Sequence, residues 1–518
     1  MVDIGRIIQT PWLLTGTVSL LVVYIFITTW SLFMKVRPFK GPWATMFSEI
    51  PHIRAFLSEE CQNWYAEMNK NYGPVARVSP RILATSSPEL WAHINTKPGY
   101  TRSKWFYRPA RFDWRRDTVF TEVNIRAHDL KRKQMIAGYS GRNNLTLESD
   151  VDTCVSQLVH LIQSGYARRN KPMDLAQKLQ FLTLDIISTI GFGKCFGLVD
   201  ADDDPDEFVK STAVGLRAIN KQMAFGTWWT NWIPLVGPKV NADTMTAKGF
   251  DKMVVLSSAT VEVREQARKE QKTSDVVEKE DMLASFMKNG LSGDDLKAEV
   301  VLQIVAGSDT TAAGLRGAML YILTNPRVYK TLQSEIEEAV RSENVPETPK
   351  IISYAQSKRL PYLQAVIRES IRIFPPLNDP LARDTPPEGD TVNIEGKEVF
   401  LPGGISILPS FTAMHRDNRI YGADADLFRP ERWLEESDKE KLGAMKRTND
   451  LMFGHGRYLC LGKSISMMEM SKVVFELLRN FEWGLIRPEK PWSCANYMGL
   501  RSISDLWVQV EERLTDIP

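Results

Sequence analysis

Positions 7 to 34 hold no charged side chain, and Leu13, Leu14, Leu20, Leu21, Val22, Val23, Ile25, Phe26, Leu32 and Phe33 dominate them. As a helix this run extends roughly 42 Å, enough to cross a hydrocarbon core of ~30 Å with tilt. A cleavable leader has a shorter apolar core and a small-residue cleavage site, and neither is evident, so the run predicts an uncleaved anchor over residues 1–34. Asp3 and Arg6 precede it, while Lys35, Arg37 and Lys40 follow. The positive-inside rule then places the C-terminal body in the cytosol, with the sequon Asn144-Leu145-Thr146 unglycosylated. Pro38, Gly41 and Pro42 predict a stiff, hinge-like linker over 35–57, and the remainder, 58–518, reads as one domain.

Past the linker the polar and apolar positions follow mainly helical spacing, with a few short strands. The spacing predicts a helix from Ser58 to Tyr72, strands over Val75–Val78 and Ile82–Thr85, and a helix opened by Ser87-Pro88-Glu89 as N-cap and first turn. A long helix is expected from Asp294 to Leu323, ending before Pro326, and another from Pro361 to Phe374. Thr391–Leu401 alternates like a hairpin turning at Glu395-Gly396-Lys397. An apolar helical run carries Ile465, Met468, Val473 and Leu477. Polar residues from Val263 to Lys288 predict a solvated helix and a flexible loop without chemistry. The fold class is therefore mainly α with a smaller β-rich lobe.

Two aromatic stretches stand apart. Trp105–Phe120 mixes Trp105, Phe106, Tyr107, Phe112 and Trp114 with Arg108, Arg111, Arg115 and Arg116, which reads as a surface loop with snorkelling arginines. Trp228, Trp229 and Trp232, beside Ile233, Pro234 and Leu235, suit a membrane interface or core packing equally.

Composition narrows the partners. Lys+Arg number 65 against Asp+Glu 63, a balance giving no reason to expect a nucleic-acid partner. The five cysteines (Cys61, Cys154, Cys195, Cys460, Cys494) are widely scattered and odd in number, which fits a reduced compartment better than a disulfide framework.

The chemistry concentrates in Phe453-Gly454-His455-Gly456-Arg457-Tyr458-Leu459-Cys460-Leu461-Gly462. One cysteine stands at the tip of a glycine-lined loop and at the start of a helix, where backbone N–H groups and the dipole favour a thiolate. A zinc site at Cys460 with His455 is disfavoured, because no further ligands accompany them at suitable spacing. The segment resembles the cysteine loop of the cytochrome P-450 family, including fungal secondary-metabolism members of the pisatin-demethylating type. Cys460 would then be the axial thiolate of haem b, with Phe453, Gly456, Arg457 and Gly462 shaping the loop. Members often carry a basic residue two positions before the cysteine; here Tyr458 stands there and Arg457 precedes it.

The same resemblance extends to three further segments in the family's order, spanning about residues 40–510. Ala306-Gly307-Ser308-Asp309-Thr310-Thr311 places a glycine and competing hydroxyls within a helix, which predicts a local opening. It resembles the family's oxygen-binding groove, where Gly307 makes room for dioxygen, Thr310 hydrogen-bonds to bound oxygen and Asp309 relays protons. Glu369, Arg372 and Arg432 match a structural Glu-Arg-Arg triad. His128 and Arg132, four apart on one helix face, fall with Arg383 and His415 where members contact haem propionates. Lys131 and Lys133 face the cytosol in this reading, as a docking surface for the reductase or a merely solvated face. Pro375–Arg383 and Asn496–Leu500 are expected to line the pocket, and Trp105–Phe120 falls where the family caps the distal pocket and helps choose the substrate.

The resemblance implies a P-450 fold behind a membrane anchor in the endoplasmic reticulum. It implies a monooxygenase taking NADPH electrons through a separate reductase, with cytochrome b5 as a further donor. The substrate expected is an apolar small molecule of secondary metabolism, unless the loop arginines select an acid. The alternatives are a haem-thiolate isomerase or dehydratase that needs no reductase, and a non-catalytic haem-binding membrane protein.

Overall fold

The computed structural model describes residues 11–113, 115–141, 144–232, 251–270, 280–342 and 344–513. The first apolar run is one helix, Pro11–Val36. Its stretch Thr15–Val36 has mean hydropathy 1.9 and is, among the described residues, the one helix long and apolar enough to cross a membrane. The foot of this helix is fastened to the body. Lys35 Nζ donates to Gly403 O at 2.8 Å, and Val36 is buried. Buried Arg77 donates to the carbonyls of Phe39 (2.6 Å), Gly41 (3.2 Å) and Pro42 (3.2 Å). Gly41 permits that approach, because a Cβ there would lie 2.4 Å from Arg77 O. The segment read as a hinge is thus docked by one arginine that bonds three of its carbonyls.

The helix expected from Ser58 begins three residues later, at Cys61, and a separate helix Ile50–Leu57 precedes it. Glu59 adopts a left-handed φ of 63° between them, which no continuous α-helix accommodates. A five-stranded sheet follows the order Val75–Ser79, Ile82–Thr85, Ser406–Pro409, Arg383–Asp384, Thr101–Arg102. Its last pairing sets Arg102 directly opposite Arg383. The hairpin forms where the alternation placed it: Asp390–Ile394 pairs with Lys397–Leu401. Glu395 (φ 53°) and Gly396 (φ 81°) make its turn, two left-handed residues as a tight hairpin requires.

The central element is the helix Gly293–Leu323, buried along most of its length. It packs against helices Leu175–Phe192, Pro361–Ile373 and Lys463–Asn480. The local opening expected at 306–311 does not occur, and the helix runs through without a break. Ser308 Oγ and Thr310 Oγ1 donate to the carbonyls of Ile304 (2.8 Å) and Ala306 (2.7 Å), adding to the backbone ladder rather than replacing it.

Two other readings change. The Trp105–Phe120 stretch is largely an inner wall, with Phe106, Tyr107, Arg111 and Phe112 buried; Trp114 lies outside the described residues. Within the polar run 263–288, Met282–Lys288 is a helix whose Met282, Leu283 and Phe286 enter the core. Asn144 of the sequon, expected to carry no glycan, is buried and donates to Ile190 O at 3.4 Å. Of the tryptophan cluster, Trp229 is exposed, whereas the Trp228 and Trp232 side chains and residues 233–250 lie outside the described residues.

Candidate functional site

The cysteine loop is shaped by two tight turns, Leu451–Phe453 and Gly456–Tyr458, before the helix from Lys463. Cys460 N donates to Phe453 O at 2.6 Å and closes the loop on itself. Gly454 is obligatory, since its φ is +80° and a Cβ would lie 2.2 Å from Tyr458 O. A Cβ on Gly462 would already touch Cys460 Sγ at 3.9 Å, so a larger residue would begin to cover the sulfur. Arg132 Nη1 donates to Leu459 O at 2.6 Å and braces the loop from a neighbouring helix. Cys460 is accessible yet enclosed by protein, because its exposure opens onto an internal cavity. Burial pushes its thiol up, while the Gly462 and Lys463 N–H groups and the Arg132 and Lys463 charges draw it back.

Ala306, Gly307, Thr310 and Thr311 of the central helix line the same cavity. The missing side chain of Gly307 makes room for a neighbouring helix: a Cβ would meet Ile187 Cδ1 at 2.7 Å. Close approach of two helices therefore explains this glycine without reference to a ligand. Thr311 Oγ1 lies 3.2 Å from Ser466 Oγ, joining the central helix to the cysteine helix. Asp309 is not part of the cavity wall. Its carboxylate accepts from Gln180 Nε2 at 3.2 Å, on the helix behind, and burial raises it to about 6 against the pull of Arg316. The rest of this wall is mostly apolar, with Phe112, Phe120, Leu216, Ile219, Leu377 and Met498 prominent beside Gln303, Ser466 and Glu469.

Polar groups gather at one edge. Arg102, His128, Arg132, Arg383 and Trp91 all line the cavity. Among the buried nitrogens without a protein partner are Trp91 Nε1, Arg102 Nε, His128 Nε2 and Arg383 Nε. The Arg102 and Arg383 guanidinium groups lie 4.7 Å and 4.2 Å from the centre of the Tyr458 ring. That arrangement gives a physical reason for tyrosine at 458, since a third cation would be repelled while the ring attracts both. Burial and the charge of Arg383 lower Arg102 to about 10, and burial lowers His128 to about 4. Sequence reading missed Arg102 and Trp91, because neither belongs to a motif with local spacing.

Other expected residues lie elsewhere. His415 is not in the cavity wall; it is fully buried with Nδ1 3.2 Å from Arg372 O, beneath the triad. Arg457 pairs with Asp129 at 3.2 Å, and Gly456 presses toward Asn95 O. Lys131 is buried beside Asp295 (3.5 Å) and Glu299 (3.9 Å) instead of facing the cytosol, whereas Lys133 is exposed. Glu369 accepts from Arg372 Nε (2.8 Å), Arg372 Nη2 (2.7 Å), Arg432 Nε (2.9 Å), Trp433 Nε1 (2.9 Å) and Arg429 N (2.9 Å). The three members are brought together as one buried network.

The cytochrome P450 family profile matches residues 38–504, nearly the whole body. The chain belongs to the cytochrome P450 family. It is 34% identical to "Cytochrome P450 monooxygenase ABA1" of Pyricularia oryzae, over 99% of both chains. It is 33% identical to "Cytochrome P450 monooxygenase aba1" of Botryotinia fuckeliana, over 86% of both. "Pisatin demethylase" of Fusarium vanettenii is 28% identical over 89% of this chain and 86% of that one.

P450 membership implies haem, and the residues present fit it. Among the described residues no group of three or more His, Cys, Asp or Glu side chains could hold a metal ion. A single thiol opening onto a cavity therefore suits a metal that arrives with its other donors supplied. The unpartnered nitrogens at the cavity edge, including two arginines without an ion pair among the described residues, suit the carboxylates such a group carries.

Proposed function

We propose that this P450 is a membrane-anchored monooxygenase that oxidises an apolar small molecule in secondary metabolism. The observation carrying this reading is that Cys460 and Thr310 line one cavity whose remaining walls are chiefly apolar. Cys460 would ligate the haem iron, from a loop shaped by Phe453, Gly454, Gly456 and Gly462, and Arg102, Arg383, Arg132, His128 and Trp91 would hold its carboxylates. Haem, when bound, supplies reductive activation of dioxygen and transfer of one oxygen atom to carbon.

The chain's own residues orient, exclude and supply protons. Thr310 gives its hydroxyl proton to Ala306 O in this state, leaving its oxygen to accept. Rotation about χ1 turns that hydroxyl into a donor toward the cavity. Asp309, one residue before Thr310 and raised to about 6, is poised to exchange protons near neutrality from behind the cavity wall. Glu369, Arg372 and Arg432 act structurally.

The loop arginines are committed to ion pairs: Arg111 with Asp117 (2.7 Å), Arg115 with Asp113 (2.9 Å) and Arg116 with Asp294 (2.5 Å). This supports an apolar substrate over an acidic one. Electrons come from NADPH through a separate reductase, with cytochrome b5 as a further donor. The body faces the cytosol from the endoplasmic reticulum. Trp43 (77% exposed), Phe47, Ile50, Phe225 and Trp229 present apolar surface that rests on the lipid beside the anchor.

The test uses the full-length haem-loaded protein. Cys460→Ala is expected to lose the thiolate-type ferrous–CO spectrum, and its retention would overturn the ligand assignment. Thr310→Ala is expected to keep consuming NADPH while hydrogen peroxide replaces product. Product still matching NADPH in that variant would remove the hydroxyl from the mechanism.

A further inference from the structure

The strands Ser493–Tyr497 and Leu500–Ser504 pair with Tyr497 opposite Leu500, which leaves Met498 and Gly499 as a two-residue turn. Both adopt the left-handed backbone, with φ of 50° and 94°. Such a turn takes Asn-Gly or Gly-Gly without strain. A glycine stands where one is obligatory, since a Cβ on Gly499 would lie 2.0 Å from Asp379 O. Methionine at the first position is the exception. In this conformation its Cβ crowds the following carbonyl, a state that persists only where the surroundings over-determine it. The Met498 side chain adds nothing to the turn, but it lines the cavity together with Leu377 and Leu500.

What holds the methionine there comes largely from the helix Phe208–Phe225. The buried Asn220 of that helix accepts from Met498 N at 2.8 Å through Oδ1 and donates to Phe56 O at 3.1 Å through Nδ2. Both ends of the amide are therefore engaged. Three residues earlier, on the same helix face, Arg217 donates to the Tyr497 hydroxyl at 2.6 Å and 3.1 Å. The turn is fastened from its other side as well. Asn496 Oδ1 accepts from Gly499 N at 2.8 Å, and Asn378 N donates to Gly499 O at 2.9 Å. Leu216 and Ile219 of the helix line the cavity, whereas Asn220 does not. A side chain outside the cavity wall thus keeps Met498 in register with two residues that form it.

We propose that Asn220 is a positioning residue for substrate selection: its bond to Met498 N keeps a strained methionine in the cavity wall, where the side chain limits the bulk of the apolar ligand admitted, a role that rests on the cavity serving as the substrate chamber. Without that bond the buried Met498 N–H would be left unpaired, and a buried unpaired donor is costly. The strained backbone would then relax toward a turn that satisfies it, carrying the side chain out of register with Leu216 and Ile219. Selectivity would fall although no atom of the wall had been replaced.

Full-length haem-loaded protein is titrated with imidazole and with a triphenylmethyl-substituted imidazole, binding being read from the change in haem absorption without NADPH or reductase. The ratio of the two Kd values is the measure. Met498→Gly removes the side chain and the strain together, and is expected to shift the ratio toward the bulky ligand by roughly tenfold or more. Asn220→Ala is expected to shift it in the same direction. Asn220→Asp keeps an acceptor for Met498 N and is expected to retain the wild-type ratio, which damage to the fold in general would not spare. A wild-type ratio in Met498→Gly or in Asn220→Ala would overturn the proposal, as would a shift in Asn220→Asp equal to that of the alanine variant. Where Asn220→Ala fails to fold, Met498→Gly and Asn220→Asp decide between the same outcomes. The ferrous–CO spectrum of each variant reports the Cys460 assignment separately, so failure of the proposed function is told apart from failure of this positioning role.

Discussion

Arg372 and Arg432 are buried as deeply as Arg102 and Arg383, with exposures of 0%, 2%, 6% and 3% respectively, yet the two pairs are satisfied differently. In the first pair every guanidinium nitrogen is bonded. Arg372 reaches Glu369 and the carbonyls of His415, Ala425 and Leu427. Arg432 reaches Glu369, Asp424 and the carbonyls of Tyr421 and Leu427. In the second pair, carbonyls, the Tyr107 hydroxyl and aromatic faces replace a carboxylate, and each Nε lacks a partner. Like charges set opposite one another across two strands are also unfavourable. The first cluster is closed within the protein and holds the fold. The second is incomplete within the protein, which suits it to an anion from outside.

The largest effect should come from opening the closed cluster. Glu369→Gln keeps the shape but strands two buried cations, and is expected to cost about 3–5 kcal/mol. Chemical denaturation of the purified protein reads this directly; a loss below about 1 kcal/mol would mean the network does not hold the fold. Arg383→Leu should behave in the opposite sense. Apoprotein stability is expected to be unchanged or higher, while haem affinity falls about 10–100-fold, equivalent to ~1–3 kcal/mol of lost charge-assisted hydrogen bonding. Haemin titration and thermal melting of the same apoprotein separate the two. If its stability fell as far as that of Glu369→Gln, the distinction between the clusters would collapse.

Asp309 sharpens the comparison with the smallest effect. Its carboxyl is raised by burial from 3.8 to about 6, so the charged form is the disfavoured one. A folded-state acid above its unfolded value makes folding less favourable as pH rises through that window, from about 4 to 6. Asp309→Asn is therefore expected to be more stable than wild type at pH 7.5 by up to about 3 kcal/mol, with the gap closing below about pH 4. Turnover in the variant should fall even as stability rises. A variant less stable at pH 7.5 would show that Arg316 compensates the carboxylate fully.

Much of the architecture was legible because it is local. The turn at Glu395-Gly396, the Ser87 cap on Leu90 N and the long helix through Thr310 each depend on residues within a few positions. The cysteine loop is similar, since Gly454 is demanded by the carbonyl of Tyr458 only four residues later. His415 and Asp309 illustrate the limit. Their positions along the chain were right for a site, but packing turned His415 toward Arg372 O and Asp309 toward Gln180.

By itself, the order of residues determined the N-terminal apolar helix, the later helices, the hairpin and a cysteine exposed at a glycine-rich bend, all consequences of short-range sterics and hydrogen bonding. Tertiary structure alone decided that Arg102 meets Arg383 and that Gly307 accommodates Ile187. Those meetings depend on how each helix is rotated about its axis and on which strands share an edge. Such choices minimise buried, unpaired polarity across the whole body, and no window of sequence contains them.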